Sequence, residues 1–135
     1  MRYLAIDYGD KRSGLAVCDA GETIVTPLKV LQTDGALLKH IIKVIEDEAA
    51  EAVVVGLPLN MDGTEGGQAA KVRDFVSQLS AKTGLKVFLH DERLTSFEAE
   101  DILGPAQMSW RKRKKILDAV AAAVILKSFI SSSSD

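Results

Sequence analysis

The chain has 135 residues, 47% hydrophobic and 27% charged, which suits one domain with one core and excludes a disordered or collagen-like chain. Its 17 basic and 19 acidic residues leave a net charge of −2, so overall charge does not announce a nucleic-acid binder. No apolar run approaches the roughly 18 residues of a membrane span, the opening MRYLAIDYGD is too acidic for a secretory leader, and the single cysteine, Cys18, fits a reducing cytoplasm.

Residues 3–8 read as a strand, with Leu4 and Ile6 on one face and Tyr3, Ala5 and Asp7 on the other. A turn around Gly9 leads to a second strand over 14–18 and a third over 23–31, where Pro27 signals an edge or a bulge. These short connections predict an antiparallel meander. Leu37, Leu38, Ile41, Ile42 and Ile45 then recur at helical spacing. Residues 52–55 form a β-branched run closed by Gly56, the pattern of a strand covered on both faces. A loop over 57–65 precedes a second helix marked by Val72, Phe75, Val76 and Leu79, with Gly84 as its stop. A fifth strand over 86–89, a short helix over 95–103 and a long helix over 112–130 follow, and residues 131–135 read as a frayed, disordered tail. The order βββαβαβ with right-handed crossovers predicts a mixed five-stranded α/β sheet in the order 3-2-1-4-5, flanked by helices, a ribonuclease H-like topology in a single domain spanning 1–135.

That topology brings the ends of strands one, four and five to one rim. Asp7 ends strand one, and Asp91 and Glu92 follow strand five. Side chains alternate along a strand, so at most one of Asp91 and Glu92 can face Asp7. Asp118 lies in a nearly all-apolar helix, opposite Lys127 on the wheel and beside Ala122, Ile125 and Phe129. A carboxylate among packing residues needs a hydrogen bond, an arginine or a metal. Three carboxylates meeting at one rim suit Mg²⁺ or Mn²⁺, and two such ions about 3.5–4 Å apart can cleave a phosphodiester. His40, His90 and Cys18 form no cluster of the kind zinc requires.

Lys11 and Arg12 in the first turn and Arg93 beside Glu92 are candidates for phosphate contacts. Gly66 and Gly67 open a helix whose free N–H groups could receive a phosphate. The run Arg111, Lys112, Arg113, Lys114 and Lys115 supplies a positive flank just before Asp118, or else a solvated face. Aromatic residues are only 5%, with Tyr8, Phe97 and Trp110 the candidates for exposure, which argues for backbone-dominated recognition.

The motifs Asp7-Tyr-Gly-Asp-Lys-Arg-Ser-Gly14, Val55-Gly-Leu-Pro-Leu-Asn-Met-Asp-Gly63, Asp91-Glu-Arg-Leu-Thr-Ser96, and Asp118 ahead of Ala121-Ala-Ala-Val-Ile-Leu126 together resemble the YqgF (RuvX-like) family over the whole chain. The resemblance implies a ribonuclease H-like, metal-dependent nuclease of pre-16S rRNA 5′ ends, active in ribosome biogenesis in the cytoplasm. It also implies Asp7, Glu92 and Asp118 as the acidic triad, and so selects Glu92 over Asp91. Gly56 stands where resolvases of related fold carry an acid, so Glu92 must substitute for it. The alternatives are a Holliday-junction resolvase acting on branched DNA, which needs a homodimer with paired sites, and a non-catalytic RNA-binding factor acting in ribosome assembly; the expected partners are pre-rRNA or branched DNA and the ribosome, with the chain a monomer or homodimer. A nucleotide-clasping kinase or actin relative would need a second half that 135 residues do not supply.

Overall fold

The computed structural model describes residues 1–93 and 110–133, and for 110–116 and 133 the backbone alone. Five strands form one sheet: β1 (Tyr3–Asp7), β2 (Arg12–Cys18), β3 (Val25–Gln32), β4 (Ala52–Leu57) and β5 (Val87–Asp91), in the order β3-β2-β1-β4-β5. Among the described residues, three helices accompany them: α1 (Leu37–Glu48), α2 (Gly67–Thr83) and α3 (Trp110–Ser133). The order is the predicted one: β1 runs antiparallel to β2 and parallel to β4, and β4 runs parallel to β5.

Boundaries differ where local hydrogen bonds intervene. β3 starts at Val25 rather than 23 because Asp19 Oδ1 accepts the amides of Thr23 and Ile24 at 2.7 and 2.8 Å, holding those residues in a turn. Pro27 sits opposite Ala16 beside a register shift on the edge strand, so its missing N–H breaks no central ladder. β2 begins at Arg12, which pairs with Gln32. α2 stops as predicted, with Gly84 at φ 69° and its amide on the Ser80 carbonyl. α3 runs through Ser133, past the predicted end at Ile130, and the Ser132 hydroxyl donates to the Phe129 carbonyl at 3.0 Å. The expected helix over 95–103 lies outside the described residues. Among the described residues, no helix is long and apolar enough to cross a membrane.

The two faces of the sheet are built differently. Leu4, Ile6, Leu15, Val17, Val53 and Val55 meet Ile41, Val44, Val72, Phe75 and Leu79 of α1 and α2 in the larger core. The opposite face presents Ala5, Ala16, Cys18 and Val54 to Ala122, Ala123, Ile125 and Leu126 of α3. Gly14 and Gly56 belong to that second face by strand alternation. A Cβ on Gly14 would overlap the Asp118 backbone carbonyl, so α3 lies directly against β2 there.

Candidate active site

Three elements deliver three carboxylates to the α3 face at one rim. Asp7 closes β1, opposite Gly14 of β2. Glu92 directly follows β5, its amide on the Leu57 carbonyl at 3.3 Å, so it continues the ladder past β4. Phe88 and His90 precede it on the same face: Phe88 packs on Phe129, and His90 Nε2 lies 2.8 Å from the Ser128 hydroxyl of α3. Asp91 takes the other parity and pairs with Arg93. The alternation that the residues alone left open therefore resolves to Glu92, whose side chain shares a hydrogen bond with Asp7.

Gly56 explains how Glu92 reaches that place. A Cβ at position 56 would overlap Glu92 Oε2 and come within 2.7 Å of Ile125 Cδ1. The carboxyl of Glu92 thus fills the space over β4 that a side chain at 56 would take. By periodicity alone a glycine at a strand end reads as a stop, and its pairing with His90 is the register that places Glu92 over it.

Burial pushes the Asp7 carboxyl up to about 7, reinforced by the charges of Glu92 and Asp118 and by the hydrogen bond to Glu92. Glu92 is also raised, by burial and then by Asp91, while its hydrogen bond with Asp7 works the other way. Asp118 is not fully buried, as its apolar helix suggested. Its side chain is 31% exposed and lies 3.2 Å from Arg12 Nε. The N–H is not aimed well enough for a hydrogen bond, and Oδ2 is a buried oxygen without one. Charge attraction therefore holds the pair, and one acceptor stays unsatisfied.

Asp7, Glu92 and Arg93 line a cavity of about 240 Å³ with Pro58, Leu59, Ala121 and Ile125. Among the described residues, no three His, Cys, Asp or Glu side chains stand together closely enough, as placed, to hold a metal ion. The carboxyls of Asp7 and Glu92 stand within hydrogen-bond reach of each other, and Asp118 leans on Arg12, so the carboxylates are gathered but partnered internally.

The candidate phosphate contacts differ in freedom. Lys11 is exposed in the first turn and has no ion pair among the described residues. Arg12 bridges the turn to α3. Arg93 is tied by Nε and NH2 to Asp91 at 2.8 and 2.7 Å and reaches the Met61 carbonyl through NH1 at 3.4 Å. Tyr8 does not stand free for stacking: its ring lies 4.9 Å from that of Phe75. Phe97 and the side chains of Trp110 and of residues 111–115 lie outside the described residues. α2 opens at Gly67 without a side-chain cap, and Lys71 ties it to Asp10 in the first turn at 3.1 Å. Sequence reasoning missed the pairing of Asp91 with Arg93 and that of His90 with Ser128. The first has a signal in an acid two residues before an arginine; the second has none without the α3 register.

A family model, RuvX, described as Holliday junction resolvase, matches residues 1–132. A protein of Nitratidesulfovibrio vulgaris (strain DSM 19637 / Miyazaki F) named "Putative pre-16S rRNA nuclease" is 44% identical, covering 96% of this chain and 93% of its own. One of the same name from Anaeromyxobacter sp. (strain Fw109-5) is 43% identical, covering 96% of each. Among solved structures, T. thermophilus RuvC in complex with Holliday junction substrate superposes with a TM-score of 0.60 at 18% identity, covering 98% of this chain and 96% of that one. The Fowlpox virus resolvase in complex with Holliday junction DNA gives 0.62 at 13% identity over the whole of both chains. At those identities the likeness is one of fold, and it is the ribonuclease H-like fold that the strand order predicts. The match over nearly the full length, together with relatives sharing more than two residues in five, shows that the chain belongs to the RuvX family.

Proposed function

We propose that this chain is a metal-dependent nuclease that hydrolyses phosphodiester bonds and processes the 5′ end of pre-16S rRNA in ribosome biogenesis, the activity named for its relatives. The single observation that carries the chemistry is the crowding of Asp7 against Glu92 on the face where Asp118 also stands. Carboxylates forced together beside a buried, unsatisfied oxygen suit a hard divalent cation, because added positive charge relieves both costs. Asp7, Glu92 and Asp118 would hold Mg²⁺ or Mn²⁺, which when bound supplies Lewis-acid stabilisation of the phosphate and a water activated for attack.

The remaining residues position the substrate. Lys11 offers a phosphate oxygen an ammonium with no ion pair among the described residues, and Arg12 is placed to exchange Asp118 for one. Arg93 offers NH1, since its other nitrogens hold Asp91. Pro58, Leu59 and Ile125 wall the cavity and limit water around the acids. The nucleic-acid partner is pre-rRNA, with ribosomal association and a monomer or homodimer as the assembly.

The test is cleavage of precursor rRNA in Mg²⁺ or Mn²⁺ by the purified chain, with product ends mapped. It runs beside an Asp7→Asn, Glu92→Gln, Asp118→Asn triple variant and a four-way DNA junction. Cleavage at the mature 5′ end, lost in the variant, is the expected result. Equal cutting by the triple variant would sink the assignment of the site. Cutting of the junction alone favours the resolvase reading that the family model's description suggests. Asp7→Asn alone removes several kcal/mol of transition-state stabilisation, so its rate falls on the order of a thousandfold.

A further inference from the structure

Met61 is 85% exposed, more than the other exposed large apolar side chains of the described residues. It stands on the loop between β4 and α2, whose base, Pro58 and Leu59, walls the acidic cavity. The loop is closed on itself. The Asn60 amide donates to the Thr64 carbonyl at 2.8 Å, and the Gly63 amide to the Asn60 carbonyl at 2.8 Å. Asp62 Oδ1 accepts both the amide and the hydroxyl of Thr64, at 3.0 and 2.6 Å. Gly63 turns the chain at φ 87°, a region that L side chains avoid. Arg93, braced by Asp91, reaches the Met61 carbonyl and so ties the loop tip to the residue beside Glu92. A large apolar group is therefore held out into water on a fixed support, on a loop whose base walls the cavity and whose tip is tied to Arg93 of its lining.

The ring side chains do not serve that rim. Among the described residues, every tyrosine and phenylalanine packs on another ring: Tyr3, Phe88 and Phe129 under α3, and Tyr8 on Phe75 under α2. Met61 is the large apolar surface left beside the cavity on the described loop.

Building on the nuclease reading, we propose that Met61 packs against the base of a nucleotide flanking the scissile phosphate, so that the strand is cut where that base is out of its stack. A thioether is polarisable and packs on an aromatic face of any identity, which gives position without sequence. A base inside a helix has both faces covered by its neighbours, so Met61 reaches only one that has left the stack.

The experiment places 2-aminopurine in turn at the two positions on either side of the cut in an RNA oligonucleotide, with the same sequence in DNA as a parallel arm. Binding of the Asp7→Asn chain in Mg²⁺ should brighten one position. Adding Met61→Ala should dim it, and Met61→Leu should restore it. With Asp7 intact, Met61→Ala should slow single-turnover cleavage roughly two- to tenfold. That loss should vanish when the contacted nucleotide is made abasic. Cleavage that ignores Met61→Ala, or an equal loss on intact and abasic strands, overturns the contact while leaving the nuclease reading standing. A chain that neither binds nor cuts either strand overturns both.

Discussion

The two faces of the sheet divide the work of the molecule. Toward α1 and α2 the strands present leucine, isoleucine and valine, and the helices answer with the same kinds of residue. Toward α3 they present Ala5, Ala16, Cys18 and two glycines around Val54, and α3 answers with Ala122 and Ala123 beside Ile125 and Leu126, a smaller set overall. Small residues bury less apolar area, so the α3 face contributes less to stability per position. They gain proximity instead. The helix backbone lies against Gly14, and the Glu92 carboxyl fills the space over Gly56. Asp7, Arg12, Glu92 and Asp118 all belong to this face, whereas Asp91, of opposite parity, is spent on Arg93. A sheet can thus keep its stability on one side and its charged chemistry on the other.

Truncation on the α1 side gives the largest expected change in stability. Ile41 has no exposed surface and sits in the larger core, so Ile41→Ala should cost about 2–5 kcal/mol by denaturant unfolding. Cleavage per folded molecule should stay near that of the unaltered chain. A loss of catalysis beyond the unfolded fraction would break the division between the faces. Gly14→Ala should cost about 1–3 kcal/mol, because its obstacle is the backbone of Asp118 and cannot rotate away. It should also lower cleavage, since α3 must lift and carry Asp118 with it. Gly56→Ala meets only the ends of the Glu92 and Ile125 side chains. It should lose cleavage out of proportion to stability, and the reverse ranking of the two glycines would show that Glu92 is not held by that space.

Much of this division was legible before any coordinates. The parity of Asp7 with Ala5, the wheel position of Asp118, and the crossovers that return β4 beside β1 place two acids at one rim by geometry alone. The choice between Asp91 and Glu92 was not legible from alternation, because it depends on the register of β5 against β4, which local pattern does not encode. Gly56 was legible through the family resemblance and not through periodicity, because a residue without a side chain carries none and its meaning lies in what occupies its space. The start of β3 was misplaced because Asp19 competes for the amides of Thr23 and Ile24. The surroundings of Asp118 were open among a hydrogen bond, an arginine and a metal; Arg12 from β2 stands 3.2 Å from its Oδ2, a contact that wheel position alone does not reveal.

Smaller effects sharpen the comparison through pH. Asp7 is raised from 3.8 to about 7, first by burial, so the folded chain keeps a proton that the unfolded chain releases. Its favourable contribution is complete below the unfolded value and is lost as pH rises through the folded one. In metal-free buffer Asp7→Asn should therefore melt above the unaltered chain at pH 8 and level with it at pH 4. A difference that stays constant across that range would mean Asp7 is not held protonated by its surroundings.

Ser128→Ala is the mildest change, and the one that probes how α3 is registered on the sheet. Its hydroxyl lies 2.8 Å from His90 Nε2, two residues before Glu92 and on the same face. Removing it should cost about 0.5–1.5 kcal/mol, the worth of one hydrogen bond. Burial lowers the His90 pKa below 6.5, so the folded state favours the neutral ring, and that preference is lost as pH falls through the folded value. The penalty is therefore best read at pH 8, where the ring is neutral. If the bond only adds stability, cleavage follows the folded fraction. If it sets where β5 ends against α3, Glu92 shifts relative to Asp118 and kcat falls further than unfolding explains, with Ser128→Thr restoring it.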